Sequence, residues 1–167
     1  MSQKIVVGAA GGLAILVVLV AVILLLKARA SQREPASGLG LIEGRLRACP
    51  SSPNCVVSEP GTDTAHAIGP LPAGPTLEAT RAALRAAISQ RSTEEGCATL
   101  IVADEPGYIR AGFRSSVFGF DDDVELRIDM AANVVHVRSA SRVGHSDFGA
   151  NRKRVEGLRR ALEATAR

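Results

Sequence analysis

Residues 98–142 read ATLIVADEPGYIRAGFRSSVFGFDDDVELRIDMAANVVHVRSASR. Apolar side chains recur there at every second position, the period of a strand with one face buried. Gly107 and the Ala131-Ala132-Asn133 stretch supply two of the turns. The pattern predicts four strands, at about 98–103, 107–115, 120–129 and 133–142, and short connections join them into an antiparallel meander.

Alternation assigns the faces. Leu100, Val102, Ile109, Ala111, Phe113, Val124, Leu126, Ile128, Val135 and Val137 are expected to face a core. The other face takes Tyr108, Arg110 and Arg114, then Asp123, Glu125, Arg127 and Asp129, then His136, Arg138 and Arg142. An acidic strand then lies between two basic ones.

Helical signals flank the strands. Pro75-Thr76 is a helix start with Glu78 in the first turn, and Leu77, Leu84 and Ile88 recur at helical spacing to about Gln90. Ser146 or Asp147 caps a last helix, with Phe148, Val155, Leu158 and Leu162 as its apolar stripe. The expected fold class is α+β, a four-stranded antiparallel meander with two helices on one face.

Upstream the composition changes. Residues 35–75 hold seven of the eight prolines, which excludes a long helix or a central strand. Residues 27–40 are expected as a tether, and 41–75 as an arm draped over a core of 76–166. The domain, 41–167, is long enough for one core and too short for two.

The chain begins with an uncharged run, Ile5–Leu26, after a four-residue flank holding Lys4. At 1.5 Å per residue those residues span roughly 33 Å as a helix, the thickness of a bilayer's hydrocarbon. A cleavable signal would need a shorter apolar run, although Ala28-Arg29-Ala30 has the small-x-small pattern of a cleavage site. An uncleaved single-pass anchor is expected, with the lipid bilayer as its partner. Lys27, Arg29 and Arg33 follow the run, and the positive-inside count puts the domain in the cytoplasm.

The cysteines argue for the other side. Cys49 and Cys55 enclose Pro50-Ser51-Ser52-Pro53-Asn54, and Cys97 stands apart. Three pairings are open, each leaving one thiol. A Cys49–Cys55 disulfide is the expected one, and it suits an oxidising compartment outside the cytoplasm. No Cys-x-x-Cys and no histidine at ligand spacing accompanies these cysteines, so neither a metal nor a cofactor is expected.

Four of the 20 basic residues flank the apolar run. Residues 34–167 hold the other 16 against all 17 acids, a net of −1. A nucleic-acid module would keep its cationic excess in the folded domain, so nucleic acid is not an expected partner.

Three blocks resemble the family catalogued as domain of unknown function 1499. They are Cys49-Pro-Ser-Ser-Pro-Asn-Cys55-Val56 followed by His66, then Arg114-Ser115 through Phe118, Phe120, Asp122, Asp123 and Glu125. The third runs from His136 through Arg138, Ser141, Arg142, Gly144, Ser146, Asp147, Gly149 and Asn151 to Arg154. The resemblance spans about Leu41 to Leu162. Val57 departs from it, where a serine is expected. It implies a membrane-associated or exported domain and carries no activity or cofactor with it.

Two chemistries follow from these residues. If the arm closes over the charged face, five arginines (110, 114, 127, 138, 142) outnumber Asp123, Glu125 and Asp129, leaving capacity for an anion. Arg110, Arg114, His136, Arg138 and Arg142 are then the expected binding residues. The function expected is a non-enzymatic binding or accessory module for an anionic ligand or an envelope protein. The alternative is a hydrolase or thiol enzyme, with Cys55 as nucleophile, His136 as base and Asp122 or Asp123 orienting it. Asp122 and Asp123 point to opposite faces, so they do not form an acid–base pair.

Overall fold

The computed structural model describes residues 2–33, 38–95, 97–116 and 118–165. Eleven elements follow in order: helix α1 (Ser2–Arg33), β1 (Leu41–Ile42), β2 (Arg45–Leu46), β3 (Cys55–Val57), β4 (Leu71–Pro72), helix α2 (Leu77–Glu95), β5 (Ala98–Glu105), β6 (Tyr108–Arg114), β7 (Asp121–Asp129), β8 (Val134–Ser141) and helix α3 (Ala150–Thr165). The fold is α+β. The meander β5–β6–β7–β8 forms as the alternation requires, every neighbouring pair antiparallel.

The sheet has six strands rather than four, in the order β3-β8-β7-β6-β5 with β4 also paired to β8. The two added strands come from the Pro-rich arm. Each is two or three residues long, and Pro72 falls in the shorter one, at the sheet margin where a missing N–H costs little. Strands this short leave no readable period.

One face carries the core. Ile109, Ala111, Phe113, Val124, Leu126, Val135 and Val137 pack with Leu84 and Ile88 of α2 and with Val155 and Leu158 of α3. Leu100 and Val102 do not join them. The β5–β6 register shifts between Ile101 and Ala103, so Ile101 takes the core-facing place and Leu100 is left 69 % exposed. One extra residue in a strand reverses its faces, which alternation alone does not reveal. Phe148 is also absent from the stripe of α3. It sits one residue ahead of Gly149 at φ 53° and is 99 % exposed. Asp147 makes the cap, its carboxylate accepting the N–H groups of Gly149 and Asn151.

The α1 helix is long and apolar enough to cross a membrane. Its described residues are exposed over most of their length, but Leu24 is half-buried and Ala28 and Ser31 are buried. That spacing of four and three residues marks a single helical face. Of residues 27–40, the first seven continue this helix.

Candidate functional site

The charged face of the sheet is built from strand register. Antiparallel pairing sets Arg114 opposite Asp121, Arg110 opposite Glu125 and Glu125 opposite Arg138. Arg114 grips Asp121 through Nε at 2.7 Å and Nη2 at 2.9 Å. Arg142, just beyond β8, grips Asp123 through Nε at 2.7 Å and Nη2 at 2.9 Å, and reaches Asp121 at 3.4 Å. Arg138 donates to Glu125 at 3.0 Å, and both are fully buried. Glu125 also accepts from the Tyr108 hydroxyl and the Gly40 N–H, each at 2.6 Å. Burial first, and the adjacent Glu125 second, push the Tyr108 hydroxyl well above its ordinary pKa.

The arm lies across this face and adds a carboxylate. Glu59 takes a two-pronged contact from Arg127 at 2.8 and 3.1 Å, a third bond from Arg45 at 3.2 Å and the Leu46 N–H at 3.0 Å. Burial alone would raise its pKa, but these donors outweigh it and bring the carboxyl down to about 2.

These contacts change the expected charge balance. Glu59 and Asp121, neither of them counted from the alternation, bring the carboxylates to five: Glu59, Asp121, Asp123, Glu125 and Asp129. They face six arginines: 45, 110, 114, 127, 138 and 142. Among the described residues only Arg110 of these six has no carboxylate partner, and its Nε is buried without a hydrogen bond. Three of the five expected binding residues are therefore held by carboxylates of the chain itself. His136 is held too, by the Ser58 carbonyl at 3.1 Å.

The catalytic grouping does not assemble. Cys55 is bonded to Cys49 at an S–S distance of 2.03 Å, so it offers no thiol. It lies opposite Ala140, four positions along β8 from His136, roughly 13 Å at the rise of a strand. Asp122 belongs to the other face, where Arg154 donates to it at 2.7 Å. Burial raises the pKa of Asp122 despite that arginine.

The remaining motif residues form one network at the same end of the sheet. Asn151 donates to the Asn54 carbonyl, Ser141 Oγ and Asp147, and accepts from Ser139 and Arg154. It thereby ties the disulfide loop, the end of β8 and the start of α3 together. The Arg154 guanidinium stacks over the Phe113 ring at 5.0 Å. His66 donates from Nδ1 to the Asp63 carboxylate and from Nε2 to the Ser52 carbonyl, closing the other side of the disulfide loop. Arg152, in the first turn of α3, donates to the carbonyls of Ala65 and Ala67.

Sequence reasoning passed over Ser31. Its Oγ accepts the Asp121 N–H at 3.0 Å, and its carbonyl accepts from Arg142 at 3.3 Å. Next to it, Gln32 donates to the Gly119 carbonyl at 3.0 Å. The cation of Arg142 thus meets the last turn of α1, where free carbonyls and the negative dipole end favour it. The signal was present in the sequence as the small, uncharged positions Ala28 and Ser31 among Lys27, Arg29 and Arg33.

No curated protein and no solved structure matches this chain. Residues 45–162 match the sequence model of the family described as protein of unknown function (DUF1499). That match covers most of the chain, and the chain belongs to this family.

Proposed function

We propose that this member of the family is a single-pass, membrane-anchored accessory module that presents its α+β domain at a fixed attitude to the bilayer, outside the cytoplasm. It works by docking another protein of the cell envelope rather than by catalysis. The joint between Ser31 of α1 and Asp121 and Arg142 of the domain carries this reading. A domain that only needed tethering has no use for a membrane helix bonded into its sheet.

The Cys49–Cys55 disulfide supports the extracytoplasmic side, and the loss of Cys55 as a nucleophile removes the main support of the enzyme reading. An anionic ligand is the weaker form of the binding proposal. It would have to be taken by Arg110, since Arg114, Arg138 and Arg142 are engaged by carboxylates.

The test is thiol labelling in a Cys97→Ser background, using a membrane-impermeant maleimide on intact cells or spheroplasts. Labelling of Cys49 and Cys55 only after reduction supports the proposal. Labelling only after lysis, with no need of reductant, places free thiols in the cytoplasm and overturns it.

A further inference from the structure

Three exposed apolar side chains, Leu100, Phe118 and Phe148, lie at the end of the sheet where α1 joins the domain. The β6–β7 connection and the β8–α3 connection both leave from this end, because Asp122 at the start of β7 pairs with Ser141 at the end of β8. The first connection carries Phe118, 42 % exposed, its ring 6.3 Å from that of Phe120. The second carries Phe148, which has no shelter at all. Its positive φ is a conformation that bulky side chains rarely adopt, and it holds the ring away from the domain. Leu100, also exposed, lines a cleft of about 300 Å³ that includes Gln32 of α1.

We infer that this end of the domain rests on the bilayer, with Phe118 and Phe148 inserted at the boundary of headgroups and acyl chains. The inference rests on the proposed anchoring of α1, and depth along that helix supports it. Gln32, bonded to Gly119, lies six residues past Leu26, roughly 9 Å if the helix stands upright. One headgroup layer is roughly 5–8 Å deep. Leu24 lies inside the apolar run and is half-buried while its neighbours Ile23 and Leu25 are exposed. The face of α1 that buries Ala28 and Ser31 therefore begins within the apolar run, at the depth of the hydrocarbon edge. Phe118, next to Gly119, is carried to the same level.

Charge fits the same partner. Lys27, Arg29 and Arg33 stand around the helix end, and the half-exposed Arg114 follows on the sheet. Cations at this depth are attracted to the headgroups of anionic lipids. The opposite end of the sheet presents Glu105, Asp129 and Met130 at its turns.

The chain has no tryptophan, so each single substitution is its own fluorescent reporter. Full-length Phe118→Trp, Phe148→Trp, Met130→Trp and Leu19→Trp would be reconstituted in vesicles of phosphatidylcholine and phosphatidylglycerol containing brominated lipid. The expected result is blue-shifted emission from Phe118→Trp and Phe148→Trp, quenched several-fold more than Met130→Trp. Leu19→Trp, in the middle of α1, tests the anchor separately. If Leu19→Trp is quenched while the two loop reporters behave like Met130→Trp, the inference falls and the anchor stands. If Leu19→Trp is not quenched, the anchoring fails and takes the inference with it. Phe148 makes no packing contact to lose, and unchanged thermal unfolding of Phe118→Trp confirms that its fold is intact.

Discussion

Arg142 donates to the carbonyl of Ser31 while its Nε and Nη2 hold Asp123, so one guanidinium spans α1 and the sheet. Arg114 completes the ladder through Asp121, whose N–H is in turn bonded to Ser31 Oγ. Part of the charged face, legible in the sequence as an acidic strand between two basic ones, joins the domain to α1.

Arg138 and Arg110 separate structural from available cations. Glu125 and Arg138 are both buried, and truncating one partner of such a pair leaves the other charge unpaired, a loss of roughly 3–5 kcal/mol. Arg138→Ala is expected to lose that much stability in denaturant titrations, with part of it restored by adding Glu125→Gln. Arg110→Ala, which breaks no ion pair among the described residues, is expected to cost under about 1 kcal/mol. Equal costs for the two would contradict the assignment.

Acid should weaken the join between the arm and the sheet. The folded pKa of Glu59, about 2, lies below its ordinary 4.5. Its contribution is therefore complete above about pH 4.5 and is lost as pH falls from there toward 2. Asp122, whose pKa is raised, works in the opposite sense, so the comparison must isolate Glu59. Glu59→Gln is expected to be less stable at neutral pH and to show a flatter acid limb than the parent. An unchanged limb would mean that Glu59 does not carry this linkage.

The meander and its two helices were readable because 45 residues keep a period of two between segments that keep a period near 3.6. The failures have local causes. A bulge reversed Leu100 and Val102, and a left-handed residue turned Phe148 out of the helix it was expected to join. Glu59 was illegible because its role arises from the arm crossing the face, a contact between residues 68 apart in the chain. Asp121 was missed differently: it shares a face with Asp123, and only the register opposite Arg114 shows that it counts.

Reduction of the Cys49–Cys55 bond is expected to cost about 2 kcal/mol, from the entropy of closing so short a loop. Thermal unfolding with and without reductant measures it. The loss should appear first as release of β3 from β8, since the bonded Cys55 sits opposite Ala140 in that edge pairing. Hydrogen exchange confined to β3 would show this, and uniform loss of protection across the sheet would contradict it.

Gly157 of α3 faces the side chain of Arg91 on α2. A methyl group there would collide with the buried guanidinium of Arg91, which is paired with Glu94. Gly157→Ala is expected to destabilise by roughly 1–3 kcal/mol despite the better helix propensity of alanine. A stabilised variant would show that Arg91 can move aside freely.

The most direct test of the rigid joint is a distance distribution between α1 and the far end of the domain. Nitroxide labels at Arg29→Cys and Ala132→Cys, both exposed positions, would be placed in full-length Cys97→Ser protein in lipid nanodiscs and measured by pulsed dipolar spectroscopy. A single narrow distribution, broadened by Arg142→Ala, is the predicted result. A broad distribution with Arg142 intact, unchanged by its removal, would mean that the helix is only a tether and would contradict the account.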